Sequence, residues 1–460
     1  MSAAVHADVI VVGAGAAGLA AAAALAESGA QITLLERRPY IGGRAYSYDH
    51  PALAETLDSQ HVVLGCCVNI LDLARKSGMF DSIRWYDELV FLEPGGRRSL
   101  MRTGSLPAPS HQTLSFLRAP MLTLRDKTAI ARGLTHFLRG YPSDDTESFA
   151  SWLKRSGQTD RAIRHFWEPV IVGALNDNFE RCSVKYAGMI FHESFLRSPE
   201  GGRLGIPAAP LSQFFAPVAE YVQQKGVAVN LKSGVEGITQ TVDGEWTIGA
   251  NGTAYTAKAV ILATDFKQTR QLLSGLPGGQ LPIFDRLVAA PITTIHLWYD
   301  RDVSGLDHAV LLDTRIQWVF TKSRIRRWPT ERGSYQELVI SASWPELEMG
   351  RDDILHSAIR EFETFFPAAK QAQLLKSGVL KEARATFSVV PDLDRDRPSQ
   401  ATPWTGLYLA GDWTATGWPS TMEGAVRSGR LAAGAATGNP KRFMAPELPA
   451  TGVMRWLSRT

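Results

Sequence analysis

The chain has 460 residues, of which 45% are hydrophobic and 21% are charged, and its formal net charge is +3. This length exceeds that of an ordinary single-core domain, so we expect two or three structural units in a folded globular protein. The nearly balanced charge gives no indication of a nucleic-acid partner, and three cysteines are too few for a disulfide framework.

The first forty residues carry a complete nucleotide-binding pattern. A predicted buried strand, "DVIVV", has no basic region before it, so we expect no signal peptide. Gly13, Gly15 and Gly18 follow it, then an alanine-rich predicted helix, then a second strand ending at Glu36. In this pattern the glycines admit a pyrophosphate to the helix N-terminus and the acid accepts ribose hydroxyls, which predicts a Rossmann-like α/β fold. The predicted cofactor contacts here also include Ala16, Ala17 and Arg37.

The stretch "DSQHVVLGCC", residues 58–67, raises the question of a metal or redox site. We predict no metal site, because only His61, Cys66 and Cys67 are close and no second pair has ligand spacing. A thiol relay needs a separated cysteine pair, and these two cysteines are adjacent. We therefore interpret both as small buried apolar residues.

Residues 97–139 contain eight Lys or Arg but one acidic residue, Asp126, with Leu and Phe between them. This composition is typical of an interfacial amphipathic segment, and the alternative is a basic, solvated surface. No uninterrupted apolar stretch in the chain reaches the length of a membrane span. We therefore expect peripheral contact with a membrane surface.

Two further motifs resemble those of the FAD-dependent amine oxidase and carotenoid desaturase superfamily. They are "RRPYIGGRAYS" and, some 370 residues later, "GLYLAGDWTATGWPSTMEGAVRSGR". The resemblance implies that the cofactor is FAD, that Arg44 lies near its phosphates and flavin, and that Asp412 binds its ribitol chain. A helix starting near Ser420 would face the flavin, where it stabilises negative charge near N1. The implied contacts are Gly43, Arg44, Val235, Gly411, Asp412, Thr421 and Met422.

The same resemblance implies two discontinuous domains. A Rossmann-like FAD-binding domain would comprise 1–80, 205–270 and 400–440, and an α+β substrate-binding domain 81–204 and 271–399. Residues 441–460 are left as a C-terminal tail.

Outside the cofactor motifs, "DSQHVVLGCCVNILDL", "FWEPVIVGALND" and "RLGIPAAPLSQFF" resemble the hydroxysqualene dehydroxylases of bacterial hopanoid and squalene synthesis. One departure is that related sequences often carry a glycine between the aspartate and the glutamine of the first motif. The family removes an allylic hydroxyl to give squalene. The resemblance implies a C30 isoprenoid substrate, squalene-synthase-like upstream enzymes and no nucleic acid. It also implies a cytoplasmic location at the inner face of the membrane.

This chemistry requires a proton donor, an apolar tunnel and groups that tolerate positive charge. His61 is the first candidate acid, with Asp58 as its partner or as the donor itself. Glu168 is the second, because a carboxyl group in apolar surroundings has a raised pKa. The alternatives are a structural hydrogen bond for His61 and a satisfied charge at a helix start for Glu168. The predicted cavity-lining residues are Gln60, Trp167, Asn176 and Trp418.

Three other functions stay open. A carotenoid-type desaturase would take hydride from a polyene, and an amine oxidase would pass electrons to oxygen. A lipid carrier would bind FAD and squalene intermediates without turnover.

Overall fold

The computed structural model describes residues 4–458. Residues 1–3 and 459–460, at the ends of the predicted FAD-binding domain and of the predicted tail, lie outside the described residues. The strands are β1 (Val5–Val12), β2 (Ile32–Leu35), β3 (Ser47–His50), β4 (Glu55–Asp58), β5 (Val63–Leu64), β6 (Ile83–Tyr86), β7 (Glu88–Leu92), β8 (Arg98–Arg102), β9 (Leu204–Pro207), β10 (Ala228–Asn230), β11 (Val235–Gln240), β12 (Trp246–Ala250), β13 (Thr253–Leu262), β14 (Ala289–Tyr299), β15 (His308–Leu311), β16 (Trp318–Thr321), β17 (Ser334–Ser341), β18 (Leu374–Phe387) and β19 (Leu407–Leu409).

Helices connect these strands. They are α1 (Ala16–Ala26), α2 (Val68–Ser77), α3 (Thr113–Arg118), α4 (Leu124–Thr135), α5 (Phe149–Arg155), α6 (Asp160–Ala162), α7 (Glu168–Leu175), α8 (Val184–Ile190), α9 (Leu211–Gln224), α10 (Phe266–Leu273), α11 (Ile283–Arg286), α12 (Lys322–Ile325), α13 (Trp344–Glu348), α14 (Arg351–Phe365), α15 (Met422–Ala436) and α16 (Met454–Leu457). Two π-helical turns, Ile163–Trp167 and Phe191–Leu196, adjoin α7 and α8. Short 3-10 turns cover Met79–Ser82, Ser110–Gln112, Thr330–Arg332, Pro367–Gln371 and Asp394–Asp396.

The first sheet has the strand order β10-β2-β1-β13-β12-β11, and β19 pairs with β13. The strands from β10 to β13 are parallel, as is the β13–β19 pair. Helix α1 is alanine-rich because α15 packs tightly on it: a Cβ on Gly429 would lie 2.0 Å from the Ala17 carbonyl oxygen. The structure confirms the predicted α/β class, with the turn after β1 at the carboxyl ends of the parallel strands of this mixed sheet.

The second sheet has the order β18-β14-β17-β16-β15-β7-β8 and is antiparallel except for β15 and β7. Its strands come from 88–102 and 289–387, and α14 packs on one face through Ile354, Phe362 and Phe365. Smaller sheets join β3 to β4 and β5 to β9 and β6. The domain boundaries stay a prediction.

Candidate active site

The turn between β1 and α1 is shaped by backbone packing. Gly13 has a φ of +103°, and a Cβ there would lie 2.7 Å from the carbonyl oxygen of Ala263. A Cβ on Gly18 would lie 1.8 Å from the Gly13 carbonyl oxygen, so neither position can hold a side chain. Gly15 differs, because the nearest atom to its Cβ would be the Gly43 Cα at 3.7 Å. That open space is where the sequence predicts the pyrophosphate.

Glu36 ends β2 with a buried carboxylate that is tied to the turn. One oxygen accepts a hydrogen bond from the Ala14 N–H at 2.7 Å, and the other accepts one from the Arg38 N–H at 2.9 Å. A carboxylate has about four lone-pair sites, so each oxygen retains capacity for a ribose hydroxyl. The geometry therefore fits the predicted cofactor contact.

Asp412 follows β19 and is buried beside Arg44. One carboxylate oxygen pairs with the Arg44 guanidinium, and the other accepts a hydrogen bond from the Ser420 hydroxyl. The buried Arg397 holds this loop from behind, donating to the carbonyl oxygens of Asp412 at 2.7 Å and Trp418 at 2.9 Å. Arg397 was not predicted from the sequence, because it lies in a charged stretch, "DLDRDRP", that carries no motif.

The start of α15 completes this side of the site. Thr421 caps the helix, its hydroxyl accepting a hydrogen bond from the Gly424 N–H at 3.0 Å. A single cavity of about 470 Å³ runs past the helix start and the glycine turn. The predicted cofactor contacts that line it are Gly13, Gly15, Ala16, Ala17, Glu36, Arg37, Gly43, Arg44, Val235, Gly411, Asp412, Thr421 and Met422. Gly18 lies instead in the helix–strand contact. These residues fit a dinucleotide, and their individual roles stay predictions.

The same cavity continues between the two large sheets, where its wall is mostly apolar. The apolar residues there include Val62, Leu64, Leu89, Val170, Met189, Ile190, Phe195, Leu204, Ile292, Trp318, Phe320 and Val339. Four predicted residues, Gln60, His61, Asn176 and Trp418, also line it. We call this part the substrate half and the glycine-turn part the cofactor half.

His61 brings a titratable group to the cavity wall. Its Nδ1 lies 2.9 Å from the Ser59 carbonyl oxygen, and since a carbonyl only accepts, Nδ1 carries the proton. Burial lowers the pKa of His61, while this hydrogen bond and the nearby Asp58 oppose the shift. The ring is therefore neutral at pH 7, and a protonated ring would release its proton readily.

Beneath His61 lies a buried charge cluster, which we define as Asp58, Lys322, Arg326 and Glu337. Lys322 Nζ lies 3.1 Å from an Asp58 oxygen and 2.9 Å from a Glu337 oxygen. Arg326 Nη2 lies 3.1 Å from Asp58. Burial would raise the pKa of Asp58, but Lys322 and Arg326 outweigh it and hold that pKa below its ordinary value. Asp58 is thus an ionised member of the cluster and does not line the cavity.

The cluster also holds the backbone around His61. Lys322 Nζ donates to the Gln60 side-chain oxygen at 2.7 Å, and the Gln60 N–H donates to Glu337. The Gln60 side-chain amide donates to the His61 carbonyl oxygen. Lys322 and Glu337 were not predicted from the sequence. The available signal was a charged residue inside the apolar run of β17, "SYQELVIS", every residue of which is buried.

The remaining predicted residues are Glu168, Trp167 and Asn176, and of these three Asn176 alone lines the cavity. Glu168 begins α7 and lies outside the cavity lining; burial raises its pKa, opposed by Arg164. Trp167 is fully buried and donates to the Gln158 side chain at 2.8 Å. Asn176 lines the cavity, but its amide is committed: it donates to the Thr386 hydroxyl at 2.9 Å and accepts from the Ala342 N–H at 2.7 Å.

The adjacent cysteines lie at the cavity wall as thiols. Cys66 is 4% exposed, with its sulfur 3.4 Å from the Ser194 hydroxyl. A hydrogen bond to Cys66, together with burial, raises the pKa of Cys67 well above its ordinary value. Within residues 4–458, no group of three or more His, Cys, Asp or Glu side chains could hold a metal ion. Nor is any helix in this described range long and apolar enough to cross a bilayer.

Several known proteins resemble this chain over most of its length. A family model described as "Flavin containing amine oxidoreductase" matches residues 16–437. The 15-cis-phytoene desaturase of Solanum lycopersicum is 28% identical over 451 residues, which cover 93% of this chain and 77% of that protein. The zeta-carotene desaturase of Synechocystis sp. is 26% identical over 479 residues, covering 95% of this chain and 98% of that protein. A solved oxidoreductase from Methanosarcina mazei shares the fold, with a TM-score of 0.72 at 18% identity over 94% of this chain and 100% of that one.

Proposed function

This chain belongs to the flavin containing amine oxidoreductase family, and we propose that, with FAD as its cofactor, it converts hydroxysqualene to squalene by reductive dehydroxylation. The observation that carries the proposal is an apolar cavity, continuous with the cofactor half, whose wall includes one imidazole, that of His61. Such a wall suits a hydrocarbon with a single hydroxyl group. The motifs around Asp58, Glu168 and Leu204, which resemble those of the hydroxysqualene dehydroxylases, support hydroxysqualene as the substrate.

The residues of the chain would act on the hydroxyl end of the substrate. Hydroxide leaves poorly, so a donor must protonate it before the C–O bond breaks to release water and leave an allylic cation. His61 is the donor we favour, because it lines the cavity and its lowered pKa makes the imidazolium a stronger acid than that of an unperturbed histidine. The apolar wall excludes water that would capture the cation, and aromatic faces such as that of Trp418 stabilise positive charge. Reduced FAD, when bound, supplies the hydride equivalent.

A carotenoid-type desaturase is the second candidate. The observation that favours it is the relationship to the desaturases from Solanum lycopersicum and Synechocystis sp., which extends over more than nine-tenths of this chain. Such a reaction needs the apolar cavity and oxidised FAD but no proton donor for a leaving hydroxyl group. An amine oxidase activity is the third candidate and follows from the family's description alone.

An anaerobic single turnover separates these functions. The FAD-loaded chain is reduced, mixed with hydroxysqualene in detergent, and followed by flavin absorbance and lipid analysis. We expect reoxidation of the flavin with one squalene formed per FAD. A flavin that stays reduced would reject the proposal. Reduction of the oxidised protein by a more saturated polyene, or by an amine, would then identify the desaturase or the oxidase.

Variants of the chain test the proton donor. His61→Gln should slow the single turnover by about 10²-fold or more, while His356→Gln, an exposed histidine on α14, should leave it unchanged. Glu168→Gln should also stay within about twofold, because Glu168 lies outside the cavity lining. Since burial lowers the pKa of His61, the rate should rise as the pH falls below the ordinary histidine range. A rate that does not rise as the pH falls would exclude His61 as the proton donor.

A further inference from the structure

Two segments far apart in the chain expose large apolar side chains. In the first, Leu114 and Leu117 on α3 are each 54% exposed. In the second, Val453 and Trp456 at α16 are 52% and 88% exposed. Each pair is three residues apart, so its members share one face of their helix. Exposed apolar side chains that are grouped in this way mark an interaction site.

The fold brings these two segments together. A Cβ on Gly452 would lie 2.5 Å from the Ala108 carbonyl oxygen and 2.9 Å from Pro107 Cβ, so the chain entering α16 touches the segment that precedes α3. Met454 and Ala108 are both buried in the same apolar core. We call the combined patch the apolar surface; its members are Leu106, Leu114, Leu117, Leu124, Val453 and Trp456.

Basic side chains accompany the apolar surface. Arg118 and Arg125 are exposed beside Leu117 and Leu124. The lone acidic residue between 97 and 139, Asp126, is buried, where it accepts hydrogen bonds from Thr123 and Thr159. The exposed charge of this segment is therefore positive, which complements anionic lipid headgroups.

The apolar surface lies directly outside the substrate half of the cavity. Phe195 and Gly202 line the cavity, and a Cβ on Gly202 would lie 3.5 Å from the side-chain nitrogen of Gln112, the residue before α3. On the other side, the Arg197 carbonyl oxygen accepts a hydrogen bond from the Thr451 N–H at 3.0 Å. The segment before α3 therefore contacts the cavity lining at Gly202, and the segment before α16 contacts Arg197, two residues after the lining residue Phe195.

We propose that the apolar surface docks the protein on an anionic lipid bilayer and that the substrate enters the cavity through the wall formed by Phe195 and Gly202. The docking site goes beyond the basic segment that the sequence indicates, because α16 contributes its most exposed aromatic side chain. This docking site rests on the proposed function only because that function implies a lipid substrate.

Vesicle sedimentation with the full FAD-loaded chain tests this docking site. We expect binding to mixed phosphatidylcholine and phosphatidylglycerol vesicles, and weaker binding to phosphatidylcholine alone. The triple variant Leu114→Ser, Leu117→Ser and Trp456→Ser should lower the partition coefficient by about tenfold or more. The matched control is Leu231→Ser, Val242→Ser and Leu375→Ser, exposed residues outside the apolar surface, and it should bind like the wild type.

Three results would overturn the proposal. They are wild-type protein that does not bind anionic vesicles, a triple variant that binds them as well as the wild type does, and a wild-type dimer that becomes monomeric in the triple variant. Turnover separates this test from that of the function. In detergent the triple variant should keep the wild-type rate, whereas with substrate delivered in vesicles it should be about tenfold slower. Wild-type protein that binds vesicles but turns over no hydroxysqualene would reject the proposed function and leave the docking site standing.

Discussion

The two halves of the cavity are built in different ways. In the cofactor half the backbone makes the site: glycines without room for a side chain, N–H groups fastened to Glu36, and a helix start capped by Thr421. In the substrate half side chains make it. They come from β5, β16, β17 and α7, and the buried charge cluster holds the segment with His61 from below.

This difference determines which changes each half tolerates. A backbone site fails when an atom is added where the main chain is already in contact, as at Gly13 and Gly18, because the neighbouring main chain cannot move away. A side-chain site over buried charges fails when a charge is removed, because its partners are left uncompensated. Substitutions in each half test this contrast.

The largest effect is expected in the cofactor half, at Gly18. A Cβ there would overlap the Gly13 carbonyl oxygen, so Gly18→Ala should lower the free energy of unfolding by about 4 kcal/mol or more and abolish FAD binding. Gly15→Ala is the matched control: it should change the unfolding free energy by less than about 1 kcal/mol yet lower FAD affinity at least about tenfold. Urea unfolding and flavin titration measure the two effects. Equal unfolding free energies for the two variants would contradict the packing argument.

In the substrate half, Lys322→Met should lower the free energy of unfolding by about 3–5 kcal/mol, because Asp58 and Glu337 lose a buried counter-charge. Adding Glu337→Gln should restore about 1–2 kcal/mol by removing one uncompensated carboxylate. Lys76→Met breaks an exposed pair with Glu27 and should cost less than about 1 kcal/mol. Urea unfolding of the three variants measures this series. A single variant as stable as the double would show that the cluster does not act as a unit.

His296, fully buried on β14 near the buried charge cluster, adds a pH dependence to the stability of the protein. Burial lowers its pKa from 6.5 to about 3. As the pH falls below 6.5 the unfolded chain takes up a proton that the native chain does not, so this residue should cost about 2 kcal/mol of stability between pH 7.5 and 5. The measurement is urea unfolding at both pH values. His296→Gln should remove this part of the pH dependence, and the exposed control His356→Gln should keep it. Identical slopes for all three proteins would refute the assignment.

The smallest effect is expected at the adjacent cysteines. Cys66→Ala and Cys67→Ala should each cost about 1 kcal/mol and leave the turnover rate within about twofold, because both act as small apolar groups. The raised pKa of Cys67 keeps it a thiol, so native protein should not react with iodoacetamide at pH 7, whereas urea-unfolded protein should. A variant that loses turnover while keeping its stability would revive a redox role.

The same contrast explains what the sequence could predict. The residues of the cofactor half could be selected from their spacing, because each motif is short and forms its own turn. Gly13, Glu36, Arg44 and Asp412 line one cavity, and their contacts with the cofactor stay predictions. The strand order confirms the α/β class, and the family model confirms the FAD cofactor.

The substrate half was predicted less completely. The buried charge cluster includes Asp58, Lys322 and Glu337, which span 279 residues of the sequence (337 − 58 = 279). No local sequence pattern links residues so far apart. Trp167 and Glu168 are neighbours in a motif that resembles the dehydroxylases, yet their side chains lie in different places. Trp167 packs in the aromatic core, and Glu168 lies at the start of α7. Tertiary packing, which periodicity does not encode, decides which side of a helix faces a cavity.

The order of strands in the first sheet also has a consequence for synthesis. β1 pairs with β13, and β13 pairs with β19. The sheet that contains residues 5–12 is therefore complete only after residues 255–262 and 407–409 have been made. At about 5–20 residues per second, a ribosome needs roughly 20–80 s to go from the first strand to the last. For that time β1 lacks part of its sheet, and FAD cannot be enclosed until residues 407–412 have been made. Cofactor loading is therefore a late event, and truncation after residue 400 should yield a chain that never acquires flavin.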